Sequence, residues 1–152
     1  MGLLNYTTSI SGEKTIGEIQ KALSRAGARA ILCEYDGFGN VSALAFRIAT
    51  QFGEISFQLP ANVSAVKKIL SKQAQTGKIP RRFANDDGQA ARVAWRILKD
   101  WIEAQLALIE TGMVTVEQVF LPFAQNATGQ TVYEALLEKR FTGLALPAPK
   151  CE

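Results

Sequence analysis

The chain has 152 residues, 47% of them apolar and 20% charged, the profile of one globular domain rather than of a collagenous, low-complexity or disordered protein. It contains 17 Lys and Arg, 14 Asp and Glu and no histidine, for a formal net charge of +3. Without an imidazole, Ser-His-Asp and Cys-His catalysis are excluded, and zinc would have only Cys33 and Cys151 plus carboxylates, where structural sites use four nitrogen or sulfur ligands at close paired spacing.

Residues 3–10 (LLNYTTSI) mix β-branched and aromatic residues and read as a short edge strand. Thr15-Ile16-Gly17-Glu18 is a capping-box pattern, in which hydroxyl and carboxylate each satisfy a backbone N–H at a helix start. Ile16, Ile19, Leu23 and Ala26 follow as one helical stripe, ended by Gly27. Two strands, 29–36 and 41–50, are joined through Gly37-Phe38-Gly39-Asn40, which tolerates the positive φ of a tight hairpin. Residues 54–59 alternate, placing Ile55, Phe57 and Leu59 on the face that carries Leu44, Phe46 and Ile48. Pro60 closes this meander.

Asn62 caps a helix over 63–74 with Val63, Val66 and Leu70 inward, expected to cover the sheet. Residues 75–86 lack periodicity and read as a loop. Asp86 or Asp87 caps a long helix, 88–111, stopped by Gly112. That helix is apolar on more than one side, which means either burial between the sheet and the C-terminal segment or a face, Trp95/Ile102/Leu106, for a second copy of the chain. A short helix begins at Thr115 and stops at Pro122, a last one spans 130–139 with Val132, Leu136 and Leu137 inward, and the Pro-rich tail 141–152 is irregular.

The expected architecture is α+β: a three- or four-stranded antiparallel sheet packed by two helices, 16–26 and 63–74, then a helical C-terminal half. One domain spans 1–152, with a β-rich half 1–74 and a helical half 86–140. Two cysteines so far apart give no disulfide framework and suit a reducing compartment. No basic segment leads into an apolar run at the N-terminus, and no stretch of about 18 apolar residues occurs, so a cytoplasmic protein without a membrane partner is expected.

The net charge hides a partition. Residues 1–66 carry five basic and five acidic groups, 67–99 nine and two, and 100–152 three and seven, giving 0, +7 and −4. The middle set is Lys67, Lys68, Lys72, Lys78, Arg81, Arg82, Arg92, Arg96 and Lys99. It is either a group of solvated helix faces or the basic footprint of a phosphate-binding surface. Lys78-Ile79-Pro80-Arg81-Arg82-Phe83 joins cations to an aromatic, Phe83, of the kind that stacks on unpaired bases.

Catalytic patterns are missing. The carboxylates fall as Glu34/Asp36, Asp86/Asp87 and Asp100/Glu103, and none has Lys two residues later, which removes the acid-x-Lys nuclease signature. No phosphate loop or dinucleotide fingerprint occurs. The order helix, three strands, helix over 16–74 is that of double-stranded-RNA-binding domains, but their Gly-Pro-x-His loop is missing. A non-enzymatic binder without metal or cofactor is expected.

The run Val93-Ala94-Trp95-Arg96-Ile97-Leu98-Lys99-Asp100-Trp101-Ile102-Glu103, with Glu34-Tyr35-Asp36-Gly37, Leu59-Pro60-Ala61-Asn62-Val63 and Phe120-Leu121-Pro122, resembles small proteins of bacteria, their phages and other mobile elements, a group without an assigned activity. The resemblance implies two settings. One is a nucleic-acid-binding accessory protein; the other is an anti-defence protein that blocks a host defence protein or sequesters a nucleotide messenger.

Overall fold

A computed structural model describes residues 1–147; Cys151 and the end of the tail lie outside them. Helix α1 (Gly12–Arg25) starts four residues earlier than the Thr15 pattern indicates, because the Ser11 hydroxyl accepts from the Lys14 N–H and takes the cap. Thr15 is instead fully buried in the first turns beside Ile16, Ile19 and Leu23. Gly27, at φ +102°, turns the chain into the sheet, a conformation open to glycine without steric cost.

The sheet has three strands in the order β1-β2-β3: β1 (Ala28–Tyr35), β2 (Val41–Thr50) and β3 (Gly53–Gln58). Both pairings are antiparallel, with Ile31 opposite Phe46, Cys33 opposite Leu44, Phe46 opposite Phe57 and Ile48 opposite Ile55. One face of the sheet therefore carries the large apolar side chains, as their alternation requires. No strand forms over residues 3–10. That segment turns at Asn5 and Tyr6 and is tied to the helices, with the Leu3 N–H donating to Gln73 Oε1, Asn5 Nδ2 to Asp100 Oδ2, and Gln89 Nε2 to the carbonyls of Tyr6 and Thr8. Its β-branched residues lose to these long-range hydrogen bonds, which no local propensity reports.

Helix α2 (Val63–Gln75) is capped by Asn62 as expected, with the Ala65 N–H donating to its side chain. It does not cover the sheet. Leu70 and Ala74 pack with Ile79, Ala90 and Val93 in a second apolar cluster, so α2 lies against α4 (Gln89–Glu110) instead. Between them, residues expected as loop form one helical turn, α3 (Arg82–Asn85).

Helix α4 is apolar nearly all round because it divides the two clusters. Trp95, Leu98 and Ile102 face the sheet and α1, while Ala90, Val93 and Ile97 face α2. Trp95 and Ile102 are 2% and 0% exposed, and Leu106 is half-buried against the first cluster. The Trp95/Ile102/Leu106 face weighed for a second copy is thus filled by the chain's own sheet and first helix. Gly88 occupies the cap position of α4 without a side-chain cap, and Asp86, the expected cap, accepts from the Gly88 N–H.

Helix α5 (Val116–Phe120) begins with a capping box from Thr115 and Gln118, and α6 (Val132–Glu138) with one from Thr131 and Glu134. A 3-10 turn, Leu121–Phe123, links α5 to a bridge between Ala124 and Phe57. Phe120 closes the core at 5.3 Å from Phe46 and 5.7 Å from Trp101, ring centre to ring centre. In α6, Val132 packs on the first cluster, whereas Leu137, expected inward, is exposed.

One buried group is unmatched. Thr15 Oγ1 has no hydrogen-bond partner among the described residues, a state that costs about 1–3 kcal/mol for a hydroxyl. Thr15→Val keeps the shape and removes that cost. A gain of about 1 kcal/mol in unfolding free energy is expected from urea titration; a loss would mean that the hydroxyl is paired in solution.

Candidate nucleic-acid interface

Residues 55–85 contain no Asp or Glu, yet hold Lys67, Lys68, Lys72, Lys78, Arg81 and Arg82. In the structure this stretch runs from β3 through α2 and the turn after it to α3. Burial of Leu70 and Ala74 directs the opposite side of α2 to solvent, so Lys67, Lys68 and Lys72 are exposed beside Ser64 and Ser71 along a shallow hollow of about 450 Å³. A second hollow shares Lys72 and adds Lys78 and Ile69.

The turn after α2 is anchored rather than loose. Lys78 and Ile79 both donate backbone N–H groups to the Gln73 carbonyl, Ile79 is buried in the second cluster, and Phe83 N–H donates to the Pro80 carbonyl as α3 begins. Lys78, Arg81 and Arg82 are held on this frame as exposed side chains. Ordering them against a ligand therefore costs less than ordering a free loop.

None of the six forms a salt bridge among the described residues, whereas the other three cations of the basic set do. Arg92 pairs with Asp86 and also donates to Gln89 Oε1; Arg96 meets Glu18 at 2.6 Å; Lys99 sits 2.9 Å from Glu103 and 4.0 Å from Glu18. The expected extension of the basic surface along α4 therefore meets carboxylates: Arg92 pairs with Asp86 just after α3, Arg96 with Glu18 of α1, which ties α1 to α4, and Lys99 with Glu103 one turn along α4 itself. Phe83 is less open than its place in the basic run implies: its ring is half-buried, perpendicular to Tyr6 at 5.3 Å and with the Arg82 guanidinium 4.8 Å from its centre.

Two exposed aromatics lie elsewhere, on the β1–β2 hairpin. Tyr35 is 65% exposed and Phe38 91%. The turn that carries them is stapled by Asp36, whose Oδ1 accepts from the Phe38 N–H at 2.8 Å and the Asn40 N–H at 3.0 Å. An aromatic between Gly37 and Gly39 at a hairpin tip has no neighbour to bury it, and that was the available sign in the sequence.

The backbone N–H of Asn40, then that of Phe38, hold the Asp36 carboxyl below its ordinary value. Because the folded value is the lower one, the staple's contribution is fully present above the unfolded value of about 4 and fades as pH falls through the folded one. The protection of the Phe38 and Asn40 amides, taken as the exchange rate relative to the intrinsic base-catalysed rate at each pH, is expected to be constant around neutrality and to fall only below about pH 4. Loss of protection already near neutrality would contradict the staple.

The hairpin borders a groove of about 640 Å³, whose other walls are the first turns of α1 and α4. Gln20 lies inside it and donates to Cys33 Sγ at 3.4 Å. Arg92 lines both this groove and a smaller hollow that contains Arg82.

No family model, curated protein or solved structure matches the chain. Among the described residues, no helix is long and apolar enough to cross a membrane, and no three Cys, Asp or Glu side chains gather to hold a metal ion.

Proposed function

We propose that the protein is a non-enzymatic nucleic-acid-binding accessory protein of phage or mobile-element type, working in the cytoplasm. It grips phosphates through Lys67, Lys68, Lys72, Lys78, Arg81 and Arg82. The observation that carries this reading is the acid-free stretch 55–85, whose six cations stay unpaired among the described residues while the neighbouring three are neutralised. No carboxylate within the stretch offsets these six charges, so their positive fields add.

Phosphate contacts release counterions, so log affinity falls linearly with log salt at a slope of about −0.7 per contact on a single strand. Fluorescence anisotropy with labelled oligonucleotides at several salt concentrations tests this. Arg81→Ala/Arg82→Ala is expected to flatten the slope by about 1.4, two contacts' worth. An unchanged slope would remove those two residues from the interface. Absence of binding even at low salt would sink the reading and direct attention to the anti-defence alternative, with a host protein or a nucleotide messenger as ligand.

A further inference from the structure

We propose that the groove beside the β1–β2 hairpin receives unpaired bases of a single strand, with Tyr35 and Phe38 as stacking surfaces. This rests on the phosphate-binding reading above and specifies its substrate class.

Three observations carry it. The first is the hairpin tip itself, where Phe38 is almost wholly in water although its backbone is held by the Asp36 staple and by the Asp36 N–H to Asn40 carbonyl bond of 2.8 Å. The held backbone keeps the ring's attachment point in place, its side-chain torsions remain to be ordered by a ligand, and every base offers a face to stack. Of the two rings, Tyr35, at the end of β1, lines the groove, while Phe38 stands outside the lining but adjoins Gly39 and Asn40, which are part of it.

The second observation is the chemistry of the groove. Its charges are one Arg92, already paired with Asp86, and one Glu13, and its other polar groups include the neutral Gln20, Asn40 and Ser11. Such a lining suits the donor and acceptor edges of a base better than the charge of a phosphate. Its volume falls in the range of small-ligand pockets, roughly 300–1,000 Å³, and a duplex, whose bases are already stacked and paired, cannot offer them to it.

The third is adjacency. Arg92 lines both the groove and the hollow that contains Arg82, and Lys72 lines both hollows on α2. One cation of the basic set, Arg82, therefore stands a single side chain away from the groove.

The test uses the full chain and single-stranded oligonucleotides that contain 2-aminopurine, whose fluorescence is quenched on stacking, with a duplex of the same sequence as reference. Phe38→Ser and Tyr35→Ser alter exposed side chains and leave both apolar clusters intact. Each is expected to weaken single-strand binding about tenfold, to reduce the quenching, and to leave the salt slope unchanged, because stacking releases no counterions. The wild-type protein is expected to prefer the single strand over the duplex. Salt-dependent binding that ignores both substitutions, or that favours the duplex, overturns the hairpin proposal and leaves the phosphate reading standing. A wild-type protein that binds neither oligonucleotide at low salt overturns both.

Discussion

Replacing Lys67, Lys68 and Lys72 together by alanine is expected to cut the salt slope for single-stranded nucleic acid from about −4 to about −2, six contacts becoming three. Between about 50 and 200 mM salt the wild-type protein should then lose affinity about 300-fold and the variant only about 20-fold, so the two curves converge as salt rises. The size of the effect follows from where the residues stand. All three project from the solvent side of α2 and form no salt bridge within the described chain, so no internal pair is broken by their loss. Alanine is also the best helix former, and α2 keeps its Asn62 cap and its buried Leu70 and Ala74. A circular-dichroism spectrum and urea midpoint like those of the wild type should accompany the change. If the slope stays near −4 with the fold intact, the contacts lie elsewhere on the molecule.

Trp95→Ala is expected to cost about 3–5 kcal/mol of unfolding free energy. Trp95 is among the largest fully buried side chains and packs where α1, α4 and the sheet meet. Since single domains hold only about 5–15 kcal/mol in all, the variant should unfold at far lower urea or be marginal at 25 °C. Repeating the titration at two protein concentrations separates the two roles weighed for the long helix. A loss independent of concentration places Trp95 within one chain, as its burial does; a loss that deepens on dilution would show that a second copy completes the cluster. Ile102→Ala, with a side chain 0% exposed in the same cluster, should behave alike at about 2–5 kcal/mol.

Helix capping shows where local patterns are reliable. Asn62, Thr115 and Thr131 cap the helices that follow them, because each acts through hydrogen bonds within three residues. The Thr15 pattern has the same form but loses to Ser11, since Thr15 is wanted in the core. The shared face of β2 and β3 was likewise readable: alternation puts Phe46 and Ile48 on the side that carries Ile55 and Phe57, and the tight turn between Thr50 and Gly53 decides which of them meet.

The interface divides in the same way. The acid-free stretch from Ile55 to Asn85 and its six cations are plain in the chain, and so is the excess of +7 over 67–99. What cannot be read there is which cations are spent. Glu18 lies 78 residues from Arg96 and reaches it only because α1 packs on α4. The exposure of the aromatics depends on distant packing too: Phe83 follows a basic run but is half-buried against Tyr6, whereas Phe38, nine residues from Arg29 and from Arg47 in the sequence, stays in water at a stapled turn.

Residue order alone settled the α+β class, the three-stranded meander, most helix limits and the segment that carries the positive charge, because each depends on periodicity, caps or composition over a few neighbouring residues. The partner of α2, the fate of residues 3–10, the burial of Trp95 and Ile102 and the set of unpaired cations were decided by packing. These depend on contacts between residues tens of positions apart, whose side-chain types are compatible with several arrangements until the apolar clusters choose one.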